Sequence, residues 1–462
     1  MTLPACRMER FLVSAVLLTL VWLPLPLGSN RDWAMGFFVA WMGLLAGVWA
    51  VSRLFAAKRF GCSRRTLAAA APMLFLLILV QLWVATQLLL GFSVDIGATF
   101  QYLMLGIGYY LLFFLILCLF DTRSRLSMLL ITLVISGTAQ GFWGTLMALS
   151  GMEWLLVSRK VGYTGDATGT FINRNHLAGY LEMTLACGIG LLMALRDRRP
   201  LNLIGLLELL MGPKARLRLA IVTMVVALVM THSRMGNIAF LASLLIVGGL
   251  FLLIDKHHRL RNCLILTSLL LVDVLVISQY FGLEQLKERV MNTRFHDVVV
   301  DNKVTQHANE IRDDIFIYAI PLLVEQPLVG RGAGSFESVF PKFSGKDIQL
   351  HFDHAHNDYI QFAIEYGFLG TVPLAIFILL ALWHALMALM QTQSLYRSGV
   401  GFAAAMGIVA LLIHSSVDFN LQIPANAATL ISLCAIAVLA RSHTNIPRPA
   451  ARRRSAIFTG GG

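Results

Sequence analysis

Apolar runs of about 20 residues recur along the whole chain, each long enough to cross a hydrocarbon core as a helix. Inside lipid the backbone has no water to bond, so a run of this kind folds as a helix or joins a closed barrel. Barrel strands would show a weak alternation over about 10 residues instead of continuous apolar stretches. The 462-residue chain is 57% hydrophobic and only 13% charged, whereas ordinary globular domains are about a quarter charged. The expectation is an all-α, polytopic membrane bundle of about twelve spans. They fall near 11–27, 33–52, 67–90, 100–120, 126–150, 176–195, 217–232, 236–254, 263–281, 367–390, 399–416 and 424–440. The first run is read as an uncleaved span and not a signal peptide: Pro24 and Pro26 close it, and no clear small-residue cleavage site follows.

Basic residues crowd one set of connections. They include Arg53, Lys58, Arg59, Arg64 and Arg65, then Arg123 and Arg125, Arg196 to Arg218, Lys256 to Arg261, and Arg397. By the positive-inside rule that side is cytoplasmic, together with both termini. The long polar stretch 282–357 then lies outside, as a loop inserted into a single membrane domain spanning 1–462. The net charge of +12 is thus topology-setting charge at a lipid surface. No folded basic domain carries it, which argues against a nucleic-acid partner. The six cysteines fall in spans or on the basic side. Structural disulfides are therefore not expected, and no Cys/His spacing resembles a zinc site. Within the loop, Ile311, Ile315, Tyr318 and Leu322 recur at helical spacing from Glu310 to Glu325, and Pro327 and Gly330 end the pattern. Short helices folded over the outer mouth of the bundle are expected.

Polar residues that hydrocarbon would reject cluster at the outer ends of the spans. His354-Ala355-His356-Asn357-Asp358-Tyr359 closes the loop, with His351 and Asp353 beside it. Such a cluster reads as a weak metal site, a solvated helix start, or a general base, since a neutral imidazole near pH 7 is the usual proton acceptor. Arg234 sits in a very short outer turn, Thr231-His232-Ser233-Arg234-Met235-Gly236-Asn237. It either ends a helix by snorkelling or binds an anion. Arg312 opens the loop helix and has Glu310, Asp313 and Asp314 as alternative surface partners. Asn173 and Asn175 precede the sixth span. Asn175, Gly179 and Glu182 share one helix face, so a carboxylate enters the membrane, where it normally faces a partner or a wet cavity. The bland reading is a helix cap followed by a polar helix–helix contact. His414 and Asp418 stand at i, i+4, where a polar clasp is expected. Arginine forks suit phosphate oxygens and histidine suits deprotonation of a hydroxyl. Together they point to transfer from a phosphate-bearing donor embedded in the membrane.

These residues carry a resemblance. His356-Asn357, nine residues, Gly367, two residues and Gly370 is similar to the signature of the bacterial O-antigen ligase / O-antigen polymerase superfamily of integral membrane glycan transferases. Arg234 sits in a similar arginine motif, with Ile238 where Leu is common. Glu325-Gln326-Pro327-Leu328-Val329-Gly330, with Gly332 and Phe336, resembles the family's loop signature, and Arg312 lies upstream of it. The Asn173/Asn175 and Asp418/Pro424 segments match further, weaker signatures. The resemblance covers roughly 160–430. It implies a C-type glycosyltransferase architecture in the bacterial inner membrane and a polyprenyl-pyrophosphate-linked glycan donor. It also implies metal-independent, inverting transfer on the periplasmic side without a cofactor. The acceptor would be lipid A core or a lipid-linked saccharide. Arg234 and Arg312 would hold the pyrophosphate and His356 would take the acceptor's proton. Asn173, Asn175, Glu182, His354, Asn357 and Asp418 would contribute to binding substrate. The rival expectation is a transporter or flippase for polysaccharide or lipid-linked sugar. That would place charges along a central path, whereas here the polar cluster gathers on one face.

Overall fold

A backbone deprived of water must satisfy its own N–H and C=O groups, and this chain does so almost entirely with helices. The computed structural model describes residues 3–55, 62–156, 158–195, 213–256, 259–260, 262–268, 271, 298–300, 303–305, 310–343 and 352–442. In order, the long helices are α1 (Leu3–Trp22), α2 (Asp32–Phe55), α3 (Arg64–Leu89), α4 (Ile96–Leu119), α5 (Arg123–Ser150), α6 (Arg174–Ala194), α7 (Pro213–Met230) and α8 (Arg234–Ile254). After these come α9 (Glu310–Glu325), the short α10 (Phe336–Val339), α11 (Asp358–Leu389), α12 (Leu395–His414) and α13 (Pro424–Ser442). Among the described residues nine helices are long and apolar enough to cross a membrane: α2 to α6, α8, and α11 to α13. α1 and α7 carry charges near their starts, Arg7, Glu9 and Arg10 in one and Lys214, Arg216 and Arg218 in the other. The protein is a polytopic helical membrane protein. Among the described residues a hairpin departs from the helical pattern, with β1 (Val298–Val300) pairing antiparallel to β2 (Lys303–Thr305). Most of the span expected at 263–281, with its Asp273, and much of 282–309 and 344–351, including His351, lie outside the described residues.

α6 is the axis of the bundle. Every residue from Asn175 to Ala194 is buried, as expected of a helix at the centre of a bundle. Small residues let its neighbours approach. A Cβ at Gly190 would stand 2.4 Å from the Ala403 Cβ on α12, and one at Gly399 would stand 2.4 Å from the Ala194 nitrogen. Close backbone approach of this kind is how helices associate in lipid. α12 lies along α6, and α5, α7 and α13 pack around the pair.

α11 starts earlier than hydropathy predicts, at Asp358 instead of 367, and it is broken at Gly367 (φ 62°, ψ −178°). The break is filled by the segment after α9. The Phe368 and Leu369 N–H groups would ordinarily bond the Ile364 and Glu365 carbonyls. Here they donate to the carbonyls of Pro327 (2.8 Å) and Leu328 (3.2 Å). The vacated Ile364 and Glu365 carbonyls accept instead from the N–H groups of Arg331 (2.9 Å) and Gly332 (3.0 Å). Gln87 on α3 adds bonds from its side-chain amide to the Val329 and Glu365 carbonyls, at 2.7 and 2.9 Å. The Glu365 carboxylate accepts from the Gly334 and Phe336 N–H groups and from Gln361. Loop and helix thus exchange main-chain bonds, leaving these groups paired.

Gly367 and Gly330 are where no side chain fits. A Cβ at Gly367 would meet the Leu328 carbonyl oxygen at 2.3 Å, and one at Gly330 would meet the Gly367 nitrogen at 2.4 Å, both at positive φ. Gly367→Ala and Gly330→Ala are each expected to destabilise the protein by about 2–4 kcal/mol. Gly36→Ala, in a helix with nothing within 4 Å of the new methyl, is expected to change stability by less than about 0.5 kcal/mol. Thermal melting of the three variants in detergent micelles checks this.

Candidate functional site

The chain between Phe352 and Asn357 drops onto the start of α11 and is pinned there by a cap. Asn357 Oδ1 accepts the Ile360 N–H at 3.1 Å and its amide donates to the Ser416 carbonyl at 2.7 Å. The cap leaves His356 in a left-handed conformation, φ 49°, which a non-glycine residue adopts at a cost. Its side chain is 17% exposed, and Nδ1 lies 3.9 Å from Oδ1 of Asp418, itself 1% exposed. His356 Nδ1 has no hydrogen-bond partner among the described residues. Three imidazoles surround the Phe419 ring: His354 stacks at 4.4 Å, while His176 and His356 present edges at 4.6 and 4.9 Å. Neither Phe419 nor His176 stands out in the sequence, because an aromatic in a turn and a histidine at a helix start have no spacing that marks them.

Behind Asp418 the polar line continues into the bundle. His414 does not clasp Asp418 by a hydrogen bond: α12 ends at His414, and the nearest approach, Nε2 to Asp418 Oδ2, is 3.8 Å. His414 Nδ1 instead pairs with Glu182 at 2.8 Å, both side chains fully buried. The intramembrane carboxylate thus faces an imidazole on the neighbouring helix. The Asn420 amide accepts a hydrogen bond from Asn426 at 2.9 Å, and Asn426 also donates to the His176 carbonyl at 3.0 Å. Gly179 makes room for this pair, since a Cβ there would stand 2.3 Å from the Asn420 oxygen.

Arg234 is mounted on the same end of α6. Its turn is capped by Ser233, whose hydroxyl accepts the Gly236 N–H, and Gly236 abuts Ala178. Arg234 itself is exposed. The adjoining His232 pairs through Nδ1 with Asp166 at 2.5 Å, and Asp166 pairs with Arg174 at 2.8 Å. Burial raises the Asp166 carboxyl pKa, but the His232 and Arg174 contacts more than offset it and hold the group below its ordinary range. Lys160 is buried beside it, donating to the Asp166 carbonyl at 2.6 Å and pairing with Glu153 at 3.2 Å. Asp166 is a residue that sequence reasoning missed. It lies 66 residues from His232 in a Gly- and Thr-rich loop, and only the fold brings them together.

The remaining residues divide. Arg312 lies on the first turn of α9; Ala319 and Leu322 of that helix pack with Ala355 and Ile364, so α9 lies against the residue preceding His356. Asn173 caps α6 by accepting the Asn175 N–H at 2.9 Å. His354 is held by Gln361, whose amide N–H donates to Nδ1 at 3.0 Å while its oxygen accepts the Ala355 N–H. Asn173, Asn357 and His354 thus do structural work in this arrangement. Among the described residues no group of three or more His, Cys, Asp or Glu is arranged to hold a metal ion.

Residues 219–375 match the family described as O-antigen ligase. That segment of the chain is similar to the O-antigen ligase family. The matched segment takes in Arg234, Arg312, His356, Gly367 and Gly370, together with the loop that fills the break in α11. No curated protein matches the chain. The matched segment contains the arginines and His356, while Asp418, His414 and Glu182 lie on elements outside it.

Burial, reinforced by His176, lowers the His354 pKa to about 4. A ring that accepts from Gln361 at Nδ1 has no place for a second proton. The unfolded chain binds that proton near pH 6.5 and the folded one does not. Stability is expected to fall as pH drops from about 6.5 to about 4, by roughly 3 kcal/mol in total from this group, and to level off below. Melting temperatures of wild type and His354→Gln across that window check it, the variant having the shallower slope.

Proposed function

We propose that this protein transfers a glycan from a polyprenyl-pyrophosphate-linked donor to an acceptor hydroxyl, at the periplasmic face of the inner membrane. The match of residues 219–375 to the O-antigen ligase family supports glycan transfer as the reaction class. The observation that carries the proposal is His356, part-exposed at the helix ends, with Nδ1 turned toward the buried Asp418 at 3.9 Å. That leaves Nε2 for the acceptor. The acceptor oxygen attacks the anomeric carbon and its proton passes to His356 Nε2. The bond from the anomeric carbon to the pyrophosphate oxygen breaks, and polyprenyl pyrophosphate leaves with the electron pair. Attack from the opposite face inverts the anomeric centre. Arg234 and Arg312 bind the pyrophosphate and stabilise the charge that develops on it. Asp418 favours the imidazolium that His356 becomes, and the Glu182–His414 pair behind it holds the Asp418 turn against α6. In this reading Glu182 positions the site and does not touch substrate.

The donor's tail needs an apolar place beside this chemistry. A cavity of about 410 Å³ lies between α3, α4, α11 and α13, with Asp358 and Tyr359 at one end and Leu77, Leu105, Phe377 and Ile431 along its length. We assign it to part of the polyprenyl chain. The acceptor is lipid A core or a lipid-linked saccharide. Both present a hydroxyl, and product analysis with defined donor distinguishes them.

His356→Ala is expected to lower kcat about 10²–10⁴-fold, with the donor's KM little changed. Asp418→Asn should lower it about tenfold or more. Arg234→Ala and Arg312→Ala should raise the donor's KM as well as lower kcat. The assay is transfer of a defined lipid-linked glycan by purified protein. Full activity in all three of the His356, Arg234 and Arg312 variants would sink the site assignment. Passage of labelled donor across liposomes without its consumption would instead favour a flippase.

A further inference from the structure

At the far end of α11 from His356 the bundle has a second cavity, of about 350 Å³. Its walls combine Arg65 and Ala68 of α3, Trp383 and His384 of α11, and Arg441 and Ser442 of α13. Trp383 follows Asp358 by 25 residues, about 38 Å of helix at 1.5 Å per residue. The two sites are therefore separated by about the thickness of a bilayer. Pro72 also lines this cavity. It lacks the N–H that would bond the Ala68 carbonyl, which loosens α3 at this wall.

The charges here are unbalanced. The Arg441 guanidinium lies over the Trp383 ring at 3.8 Å and donates to His384 Nδ1 at 3.2 Å. Neither contact neutralises it. Arg397 sits behind it, with Nε donating to the Ala440 carbonyl at 3.0 Å and a further bond to the Arg441 carbonyl. It is close enough to Arg65 for the two charges to repel. Among the described residues no carboxylate pairs with Arg65, Arg397 or Arg441, and none lines the cavity. Guanidinium groups gathered without a counter-ion favour an anion that forks can grip, such as a phosphate. The other half of the wall is apolar, through Leu380, Pro72 and Ala69. It continues onto the outer surface of α11, where Trp383 is 44% exposed and Leu379 is 61% exposed. An indole at this depth is a membrane-interface anchor.

We propose that this cavity binds the phosphodiester headgroup of an anionic phospholipid. Arg65 and Arg441 grip the phosphate oxygens, while the acyl chains run along the exposed apolar face of α11. A free phosphate would engage the arginines but leave the apolar wall and the exposed indole unused. A lipid uses both halves. The surface carries the arginine excess that marks the cytoplasmic leaflet, where anionic lipid is within reach.

The test uses full-length protein in nanodiscs of phosphatidylcholine, with and without phosphatidylglycerol. Melting temperature and native mass spectrometry of retained lipid are the readouts. Phosphatidylglycerol is expected to raise the melting temperature of wild type and to remain bound. Arg65→Gln, a change at an exposed side chain, should weaken retention about tenfold or more, and Arg65→Gln/Arg441→Gln should abolish it. In phosphatidylcholine alone Arg65→Gln should melt with wild type, which controls for folding. Equal retention of phosphatidylglycerol by wild type and both variants overturns the proposal. Equal stabilisation by inorganic phosphate in phosphatidylcholine discs also overturns it, because the ligand would then be a free anion.

Discussion

The exchange of main-chain hydrogen bonds at Gly367 is the contact on which the outer half of the protein depends. A helix broken in a low-dielectric setting exposes donors and acceptors that nothing nearby can satisfy. Here the segment 327–332 supplies the matching groups, and the Glu365 carboxylate collects the N–H groups of Gly334 and Phe336 that follow. The loop is thereby attached to α11 by its backbone. Gln361 then carries the connection onward, since it bonds both Glu365 and His354. His354 stacks on Phe419, which is also the neighbour of His356. A continuous set of contacts therefore runs from the break to the proposed base.

This explains a spacing that is otherwise only a pattern. From His356 to Gly367 the chain forms the cap and the first turns of α11, and Gly367 is where the loop must enter. Gly370 follows one turn later, where a Cβ would meet the Trp83 ring at 2.8 Å. Trp83 in turn donates to the Tyr366 carbonyl at 2.7 Å, beside the break. The two glycines answer to two different neighbours, one a backbone and one an indole.

The nine spans seen among the described residues were legible because hydrocarbon imposes a length and a composition, and both are local properties of sequence. The start of α11 was not legible, because His, Asn, Asp and Glu between 354 and 365 lower hydropathy even though Asp358 and Glu365 are fully buried. Their partners are loop N–H groups, which no sequence window registers. Helical spacing pointed to a His414–Asp418 clasp, but the two approach only to 3.8 Å and His414 pairs with Glu182 instead. The i, i+4 rule needs a helix through both residues, and α12 stops at the first. His356, Arg234 and Arg312 are candidates drawn from residue chemistry and their order. Asp166, and the gathering of His176, His354 and His356 around Phe419, needed the fold.

The Glu182–His414 pair bears on how the protein is made. Its members are 232 residues apart, and at about 5–20 residues per second the ribosome reaches the second roughly 10–50 s after the first. α6 is covered on all sides in the finished bundle, yet α11, α12 and α13 do not exist when it leaves the ribosome. For that interval its carboxyl has no imidazole to meet. The central helix therefore gains its imidazole partner only from the last part of the chain. Membrane assembly of this protein ends, rather than begins, at its core.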